Sequence, residues 1–293
     1  MRVLITGGRG QVGCCLTEQL STNKNHVVLS VDKDELDITN QDAVNTIVKE
    51  FLPAIIINAA AHTAVDKAEE EVELSYAINR DGPKFLAEAA QELGAAILHI
   101  STDYVFEGNK SDEYFETDIT NPQGVYGASK LAGEEAAALA CEKHIILRTA
   151  WVFGEHGNNF VKTMLRLGAT HDELSIVGDQ FGGPTYAGDI AKVLIEIANC
   201  ISKDEIVEYG VYHYSGLPHA SWYQFADVIF DSAVTQGVLT KKPCLTNITT
   251  SQYPTPAKRP SNSRMSTQKI SDAFTLEASD WKAALTNIKA FTE

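Results

Sequence analysis

As far as Arg148, short β-branched apolar runs alternate with longer segments whose apolar residues recur every three or four positions. The runs predict buried strands and the longer segments predict amphipathic helices. The predicted strands are Val3–Thr6, Val27–Val31, Ile55–Asn58, Ile97–Ser101 and Ile145–Arg148. The predicted helices are Cys14–Leu20, Gln41–Phe51, Ala77–Leu93 and Tyr126–Cys141. This alternation predicts an α/β fold, a doubly wound parallel sheet with right-handed crossovers.

Beyond Trp151 the pattern is less regular and turn residues are more frequent. Helices are predicted at Asp189–Ile201 and Ser221–Gln236, and loops at Asp179–Thr185 and Tyr253–Arg264. We therefore expect two closely packed domains. The first covers residues 1–152 and is completed by returning segments near 185–215, and the second, a smaller C-terminal α/β domain, covers 153–293.

Three glycines, Gly7, Gly10 and Gly13, directly follow the first predicted strand and open the first predicted helix. In this position glycines permit a tight turn, close approach of a pyrophosphate, and close helix–strand packing. The helix N-terminus then receives the phosphates, which predicts a Rossmann-type dinucleotide-binding domain. Asp32 ends the second predicted strand, where an acidic residue binds the adenosine ribose and favours NAD. Arg9 and Lys33 could instead pair with a 2′-phosphate, so NADPH and NADH both remain open.

Tyr126 and Lys130 lie four residues apart in a stretch whose alanine-rich continuation favours a helix. In a helix, residues i and i+4 share one face. A tyrosine phenol has a pKa of about 10, and a nearby ammonium lowers that pKa. Burial raises it, so the lysine has to dominate if the tyrosine is to act near neutral pH. The spacing alone is common by chance and gains weight only with the motifs around it.

The 293-residue chain carries a formal charge of −15, which argues against nonspecific nucleic-acid binding. No apolar run is long enough to predict a membrane span. Five cysteines without a Cys-x-x-Cys spacing predict reduced thiols in a cytoplasmic protein, and eight histidines form no metal-binding pattern. A phosphorylated substrate would need local cations, for which Lys258, Arg259 and Arg264 are the candidates.

Several motifs in separate places make the chain resemble a known family. The glycine loop, the stretch 101–106 (STDYVF) and the Tyr126/Lys130 pair are similar to the extended short-chain dehydrogenase/reductases. Within them, the chain resembles the dTDP-4-dehydrorhamnose reductases from Met1 to about Trp281. The stretches that carry this resemblance are 10–13 (GQVG), 36–39 (LDIT), 58–66 (NAAAHTAVD), 148–153 (RTAWVF), 253–257 (YPTPA) and 259–264 (RPSNSR).

The resemblance implies NADPH- or NADH-dependent reduction of the C4 ketone of dTDP-4-dehydro-L-rhamnose, the last step in making dTDP-L-rhamnose for cell-surface polysaccharide. It implies that Tyr126 donates the proton, that Lys130 holds the nicotinamide ribose and lowers the tyrosine pKa, and that Thr102 lies beside the carbonyl oxygen. The implied substrate-binding residues are Thr102, Asp103, Tyr126 and Trp151. With the glycines and Asp32 included, the full set of expected cofactor-binding residues is Gly7, Gly10, Gln11, Val12, Gly13, Asp32, Asp37, Ile38, Ala61, His62, Thr63, Ile100, Tyr126 and Lys130.

Two positions depart from the family pattern. Gly124 replaces a less flexible residue, and we expect it to loosen the loop that leads into the catalytic helix. Some relatives form dimers through a magnesium ion held by glutamates, one of them in the helix after the glycine loop. Cys14 and Cys15 lie in that region here, which argues against magnesium and leaves a monomer or a homodimer as the expectation.

Three other functions are compatible with the same fold, because a fold alone does not determine function. A nucleotide-sugar 4,6-dehydratase carries an acidic residue after the Thr-Asp pair, where this chain has Tyr104, and a 4-epimerase retains its nicotinamide through both half-reactions. A non-catalytic regulatory subunit resembling that of methionine adenosyltransferase is disfavoured by the intact Thr102, Tyr126 and Lys130. A reductase of another 4-keto nucleotide sugar remains open.

Overall fold

A computed structural model describes residues 1–203 and 205–292. Residue 204, in the predicted returning segment near 185–215, and residue 293, in the predicted second domain, lie outside the described part. The strands are β1 (Arg2–Thr6), β2 (Val27–Val31), β3 (Ile55–Asn58), β4 (Ala96–Thr102), β5 (His144–Thr149), β6 (Val152–Phe153), β7 (Glu173–Val177), β8 (Phe181–Gly182), β9 (Thr185–Tyr186), β10 (Gly210–His213), β11 (Ala220–Ser221), β12 (Cys244–Ile248) and β13 (Asn262–Ser263).

Helices cover both faces of the central sheet, which six of these strands form. They are α1 (Gln11–Ser21), α2 (Gln41–Phe51), α3 (Val65–Ala68), α4 (Val72–Tyr76), α5 (Gly82–Leu93), α6 (Val125–Ala140), α7 (Phe160–Gly168), α8 (Ala187–Ser202), α9 (Trp222–Thr235), α10 (Gln268–Phe274) and α11 (Trp281–Ala284). A π-helical turn at Ala77–Asp81 and 3₁₀ turns at Asp103–Val105, Thr250–Gln252 and Leu285–Thr292 complete the list.

The central sheet has six strands in the order β10-β5-β4-β3-β1-β2, and every neighbouring pair is parallel. Side chains alternate between its two faces. Val3 and Ile5 pack with Leu194 of α8, whereas Leu4 packs with Leu86 of α5 on the other face. A parallel sheet needs both faces covered, which is why its strands are mainly apolar. The predicted doubly wound parallel sheet is confirmed.

The predicted elements of the first half are present with small differences at their ends. The first helix begins at Gln11 rather than Cys14, and β4 and β5 are longer by a residue at each end. The predicted helix Ala77–Leu93 begins in the π-helical turn that joins α4 to α5. Periodicity identifies an element well but leaves its ends open by a residue or more.

The later part of the chain both returns to the sheet and builds a second core. Helix α8 packs against α1, and β10 pairs with β5. The second core lies among α7, α9 and the C-terminal turns, around Phe225, Phe230 and Trp281. Within the described residues, no helix has both the length and the apolar character that a bilayer crossing needs.

Two segments predicted as loops contain short strands. The segment Asp179–Thr185 includes β8, which pairs with β11 and β13, and the first residue of β9, which pairs with β6. The segment Tyr253–Arg264 contains β13. The prediction of simple loops was wrong here because strands of two residues are too short to show an alternating pattern, and their partners are distant in sequence.

Candidate active site

A single cleft of about 940 Å³ runs along the carboxyl ends of the central strands, where ligands bind in open α/β sheets. Most of the residues that the sequence singles out line it. These are Gly7, Gly10, Gln11, Val12, Asp32, Asp37, Ile38, Ala61, Thr63, Ile100, Thr102, Asp103, Tyr126, Lys130 and Trp151. The exceptions are Gly13 and His62.

The glycine loop fits a dinucleotide pyrophosphate. Gly7 has a φ of +73°, and a Cβ there would lie 2.6 Å from the backbone nitrogen of Ala60, so only glycine is accommodated. Gly10 caps α1 without a side-chain hydrogen bond, which leaves the first N–H groups of the helix for a ligand. Gly13 lies behind the cleft, where a Cβ would approach the carbonyl oxygen of Gly7 to 2.0 Å. The third glycine therefore permits packing rather than ligand contact.

Asp32 lies at the end of β2, on the rim of the cleft. Its carboxylate accepts hydrogen bonds from the backbone nitrogens of Arg9 (2.9 Å) and Lys33 (2.7 Å). The guanidinium of Arg9 pairs with Asp34 at 2.8 Å and with Glu35. Arg9 is therefore engaged by two carboxylates, while Lys33 also lines the cleft.

Asp37 does not cap the helix that follows it, because Asn40 does so. Its carboxylate accepts hydrogen bonds from the backbone nitrogen of Thr39 (3.0 Å) and from the Thr39 hydroxyl (2.7 Å), which lower the pKa of Asp37. Ile38 beside it is buried, and Gly82 of α5 leaves room for its side chain. The pair thus forms a fixed wall of the cleft.

His62 differs from the expectation of a cofactor contact, because its side chain does not line the cleft. Its ring turns toward α4, with Nδ1 2.9 Å from the Ser75 hydroxyl and Nε2 3.2 Å from Glu71. Its backbone nitrogen donates to Asn79 at 2.8 Å. His62 holds the loop after β3 in place, between the cleft-lining Ala61 and Thr63.

Lys130 is buried on α6, one turn after Tyr126. Its Nζ donates a hydrogen bond to the carbonyl oxygen of Ile100 at 2.7 Å and lies 3.4 Å from Nε2 of His99. Burial lowers the pKa of Lys130 to about 8, and the charge of Glu134 acts in the opposite direction. Lys130 therefore carries its proton at neutral pH.

The expected lowering of the Tyr126 pKa by Lys130 is not found. Burial raises the pKa of Tyr126 above its ordinary value, hydrogen bonding with Thr102 acts the other way, and the charge of Asp103 raises it further. The reason is that desolvation outweighs the other effects while the Lys130 ammonium is directed at the Ile100 carbonyl. Tyr126 is thus a neutral phenol at neutral pH, the form that can donate a proton.

Asp103 lies beside this pair and is almost fully buried. It accepts hydrogen bonds from the hydroxyls of Thr102 (3.0 Å) and of Ser263, which comes from β13. Burial raises the pKa of Asp103 to about 6, although both hydrogen bonds oppose the shift. The C-terminal part of the chain therefore reaches the catalytic end of the cleft.

Trp151 forms the opposite wall. Its φ of +49° is left-handed, a strained conformation for a residue with a side chain. The indole stacks on Trp222 with ring centroids 3.5 Å apart, and Gly182 leaves the space it occupies. Sequence reasoning missed several cleft residues that come from separate elements, namely Trp222, Thr149, Gly157 and Asn158. Trp222, Gly157 and Asn158 have no local signal, whereas strand register could have identified Thr149.

Known proteins match this chain along its full length. Residues 1–292 match the family model described as the RmlD substrate binding domain. A dTDP-4-dehydrorhamnose reductase of Aggregatibacter actinomycetemcomitans is 55% identical over 292 residues, which cover 100% of this chain and 99% of that protein. The chain belongs to the dTDP-4-dehydrorhamnose reductase family.

Solved structures of the family agree with this assignment. The dTDP-4-dehydrorhamnose reductase of Clostridium acetobutylicum is 43% identical, covers 99% of this chain and 98% of its own, and has a TM-score of 0.90. That of Bacillus anthracis, solved in complex with NADP, is 39% identical with a TM-score of 0.89 and 98% of each chain covered. A Thermus thermophilus UDP-glucose 4-epimerase at 20% identity shares the fold alone.

The loosening expected at Gly124 stays a prediction. Gly124 has extended backbone with a φ of −152°, and the backbone nitrogen of Val125 donates to the Glu69 carboxylate at 2.8 Å. A Cβ at Gly124 would lie 2.6 Å from the same carboxylate oxygen. The glycine therefore leaves room for the Glu69 carboxylate at the N-terminus of α6. A negative charge there interacts favourably with the positive end of the helix dipole.

A buried ion pair lies beneath the catalytic helix. Arg148 of β5 donates to Glu134 of α6 through Nε at 2.9 Å and through Nη2 at 2.7 Å. The Ser101 hydroxyl of β4 donates to the same carboxylate. One carboxylate thus joins the three elements that carry Lys130, Thr102 and Thr149.

The three candidate cations of the tail do not line the cleft. Lys258 donates to Gln123 at 3.1 Å, Arg259 pairs with Asp66 at 2.6 Å, and Arg264 donates to Asn262 at 2.7 Å. The contacts of Lys258 and Arg259 instead fix the loop before β13 against the first part of the chain, and the Arg264 contact is local.

Proposed function

We propose that the protein reduces the C4 ketone of dTDP-4-dehydro-L-rhamnose to dTDP-L-rhamnose with NADPH or NADH, as the last step of dTDP-rhamnose supply for cell-surface polysaccharide. The observation that carries the proposal is the meeting of Thr102, Tyr126 and Lys130 at one end of a cleft whose other end is the glycine loop. The 55% identical relative named as this reductase supports the choice of substrate.

When bound, the reduced nicotinamide supplies the hydride. We assign its pyrophosphate to the N-terminus of α1, with Gly7, Gly10, Gln11 and Val12, and with Gly13 supporting the loop from behind. The remaining cofactor positions are Asp32, Asp37, Ile38, Ala61, Thr63, Ile100, Tyr126 and Lys130, with His62 acting only through the loop that it holds.

At the ketone, the neutral phenol of Tyr126 donates its proton to the oxygen that becomes the C4 hydroxyl. The Thr102 hydroxyl, which donates to Asp103 in this structure, can rotate toward the same oxygen. Lys130 supplies positive charge within a buried site and is assigned to hold the nicotinamide ribose. Asp103 and Trp151 are proposed to hold the sugar.

We further propose that one domain binds the cofactor and the other binds the substrate. Residues 1–152, together with α8 and β10, hold the cofactor, and most of 153–293 forms the substrate side. The proposal is supported by Trp222 and Asn158, which reach the cleft from the later part, and by Ser263, which bonds Asp103.

We also propose that the protein is cytoplasmic, acts as a monomer or homodimer, and binds no nucleic acid. We propose no role for magnesium. Among residues 1–203 and 205–292, no three His, Cys, Asp or Glu side chains come together as a metal site. Cys15 packs in the core beside Leu16 rather than facing a ligand.

The test is oxidation of NADPH and NADH in the presence of dTDP-4-dehydro-L-rhamnose generated in situ by the upstream enzymes. We expect stoichiometric loss of reduced nicotinamide absorbance, with dTDP-L-rhamnose as the product in chromatography. A folded protein that binds both cofactors and oxidises neither would rule the proposal out.

The same assay separates the alternatives. An epimerase would carry bound cofactor after purification and consume none, and a regulatory subunit would do neither reaction. A dehydratase is disfavoured because the residue after Asp103 is Tyr104, whose ring packs edge-on against Tyr126 at 5.4 Å and offers no carboxylate.

For cofactor choice, we expect Asp32→Ala to shift the ratio of kcat/KM values toward NADPH by about fivefold. Its carboxylate would repel a 2′-phosphate, and loss of one such repulsion at a partly exposed site amounts to roughly 1 kcal/mol. Asp42→Asn, which removes an exposed carboxylate at the start of α2, is the control and should leave the ratio unchanged. An unaltered ratio in Asp32→Ala would show that this carboxylate does not face the 2′ position.

A further inference from the structure

The hydroxyl of Thr149 is buried at the catalytic end of the cleft and has no hydrogen-bond partner. Within residues 1–203 and 205–292, seven buried side-chain nitrogen or oxygen atoms share that condition. Thr149 Oγ1 is the one among them that belongs to a residue lining the cleft. Buried polar groups in native proteins are nearly always partnered, so this hydroxyl points to a group that arrives with a ligand.

The strand register places this hydroxyl beside the catalytic residues. Thr149 ends β5 and pairs with Thr102, the last residue of β4. Side chains alternate along a strand, and residues paired in neighbouring strands share a face. Leu147 and Ile100 belong to the core on the α1/α8 face of the sheet, so Thr149 and Thr102, each two residues further on, lie on that face.

The neighbouring side chains cannot supply the partner. Arg148, the residue before Thr149, projects to the opposite face and pairs with Glu134. The Thr102 hydroxyl is occupied, because it donates to Asp103 and accepts from the backbone nitrogen of Tyr104. In this structure the Thr102 hydroxyl therefore has protein partners, whereas the Thr149 hydroxyl has none.

We propose that the Thr149 hydroxyl is a ligand-binding group of the active site, which forms a hydrogen bond with a polar group of the bound reactants at the end of β5. The partner of the Thr149 hydroxyl is an uncharged amide or oxygen of the ligand. This group belongs either to the carboxamide of the nicotinamide or to the sugar of the substrate. The inference rests on the proposed function and adds a binding residue to it.

The experiment compares Thr149→Val, Thr149→Ser and wild type. Valine keeps the branched shape and removes the hydroxyl, whereas serine keeps the hydroxyl. Thr246→Val, on the exposed part of β12, is the matched control for a strand threonine away from the cleft. Affinity for NADPH alone is measured by its fluorescence change on binding, and kcat and KM for the dTDP-sugar follow from the coupled assay.

We expect Thr149→Val to weaken one binding step by about tenfold, the effect of one neutral hydrogen bond, while Thr149→Ser and Thr246→Val stay within about twofold of wild type. A loss in NADPH affinity assigns the hydroxyl to the carboxamide. A raised KM for the sugar with unchanged NADPH affinity assigns it to the substrate.

Two results would overturn the inference: Thr149→Val with wild-type values in both measurements, or Thr149→Ser with a loss as large as that of the valine variant. Thermal unfolding of each variant, followed by circular dichroism, excludes general damage. NADPH binding needs no sugar, so a wild-type protein that binds NADPH but fails to reduce this sugar would contradict the proposed substrate while still testing Thr149. A wild type that binds neither NADPH nor NADH would overturn both.

Discussion

Tyr126→Phe is expected to lower kcat by about 10²–10⁴-fold, which is the usual contribution of a positioned proton donor. The substitution removes the phenol hydroxyl and keeps the ring, including its edge-on contact with Tyr104. NADPH affinity should therefore remain near the wild-type value while turnover falls. The measurement is single-turnover reduction at saturating NADPH and sugar, so that product release does not hide the chemical step.

Tyr76→Phe, in helix α4, is the control for loss of a tyrosine hydroxyl outside the cleft. Tyr104→Phe provides a second comparison, because Tyr104 is the other partly buried phenol near Thr102. Burial raises its pKa to about 12, so it is also neutral near pH 7. If Tyr104→Phe abolished turnover and Tyr126→Phe did not, the proton would come from Tyr104 and the assignment of the site would be incorrect.

Most of the fold followed from the sequence because its first half is locally consistent. Strands such as Ile55–Asn58 consist mainly of buried β-branched apolar residues, and α2 begins and ends where its pattern does. The glycine loop could be predicted for the same reason, because the local backbone geometry restricts position 7 to glycine. Features that depend on a few neighbouring residues can be predicted in this way.

The parts that escaped prediction depend on contacts between distant segments. The orientation of His62 is determined by Ser75 and Glu71, and the suitability of Gly124 is determined by Glu69. The pKa of Tyr126 reflects how completely the surrounding elements bury it, which no i, i+4 spacing reveals. Trp222 reaches the cleft only because α9 packs beside Trp151.

The buried pair of Arg148 and Glu134 gives the second large expected effect, which is on stability. Both side chains are about 5% exposed or less, and the pair is bidentate. Taking two charges out of water is costly, so such a pair adds little over an apolar replacement, but removing one partner leaves the other charge buried without compensation. The ring of Phe106, 5.0 Å from the Arg148 guanidinium, is too weak a partner to replace the carboxylate.

We therefore expect Glu134→Gln to lower the free energy of unfolding by about 3–5 kcal/mol in urea titrations. Glu135→Gln, the exposed neighbour on the same helix, should change it by less than about 0.5 kcal/mol. The double variant Glu134→Leu/Arg148→Met, which removes both charges, should recover much of the loss. A single variant as stable as wild type would mean that water reaches Arg148. The Glu134 charge also raises the pKa of Lys130. In Glu134→Gln, Lys130 should therefore lose its proton, and NADPH affinity should fall, at a lower pH than in the wild type. A change in stability alone would not move this pH dependence.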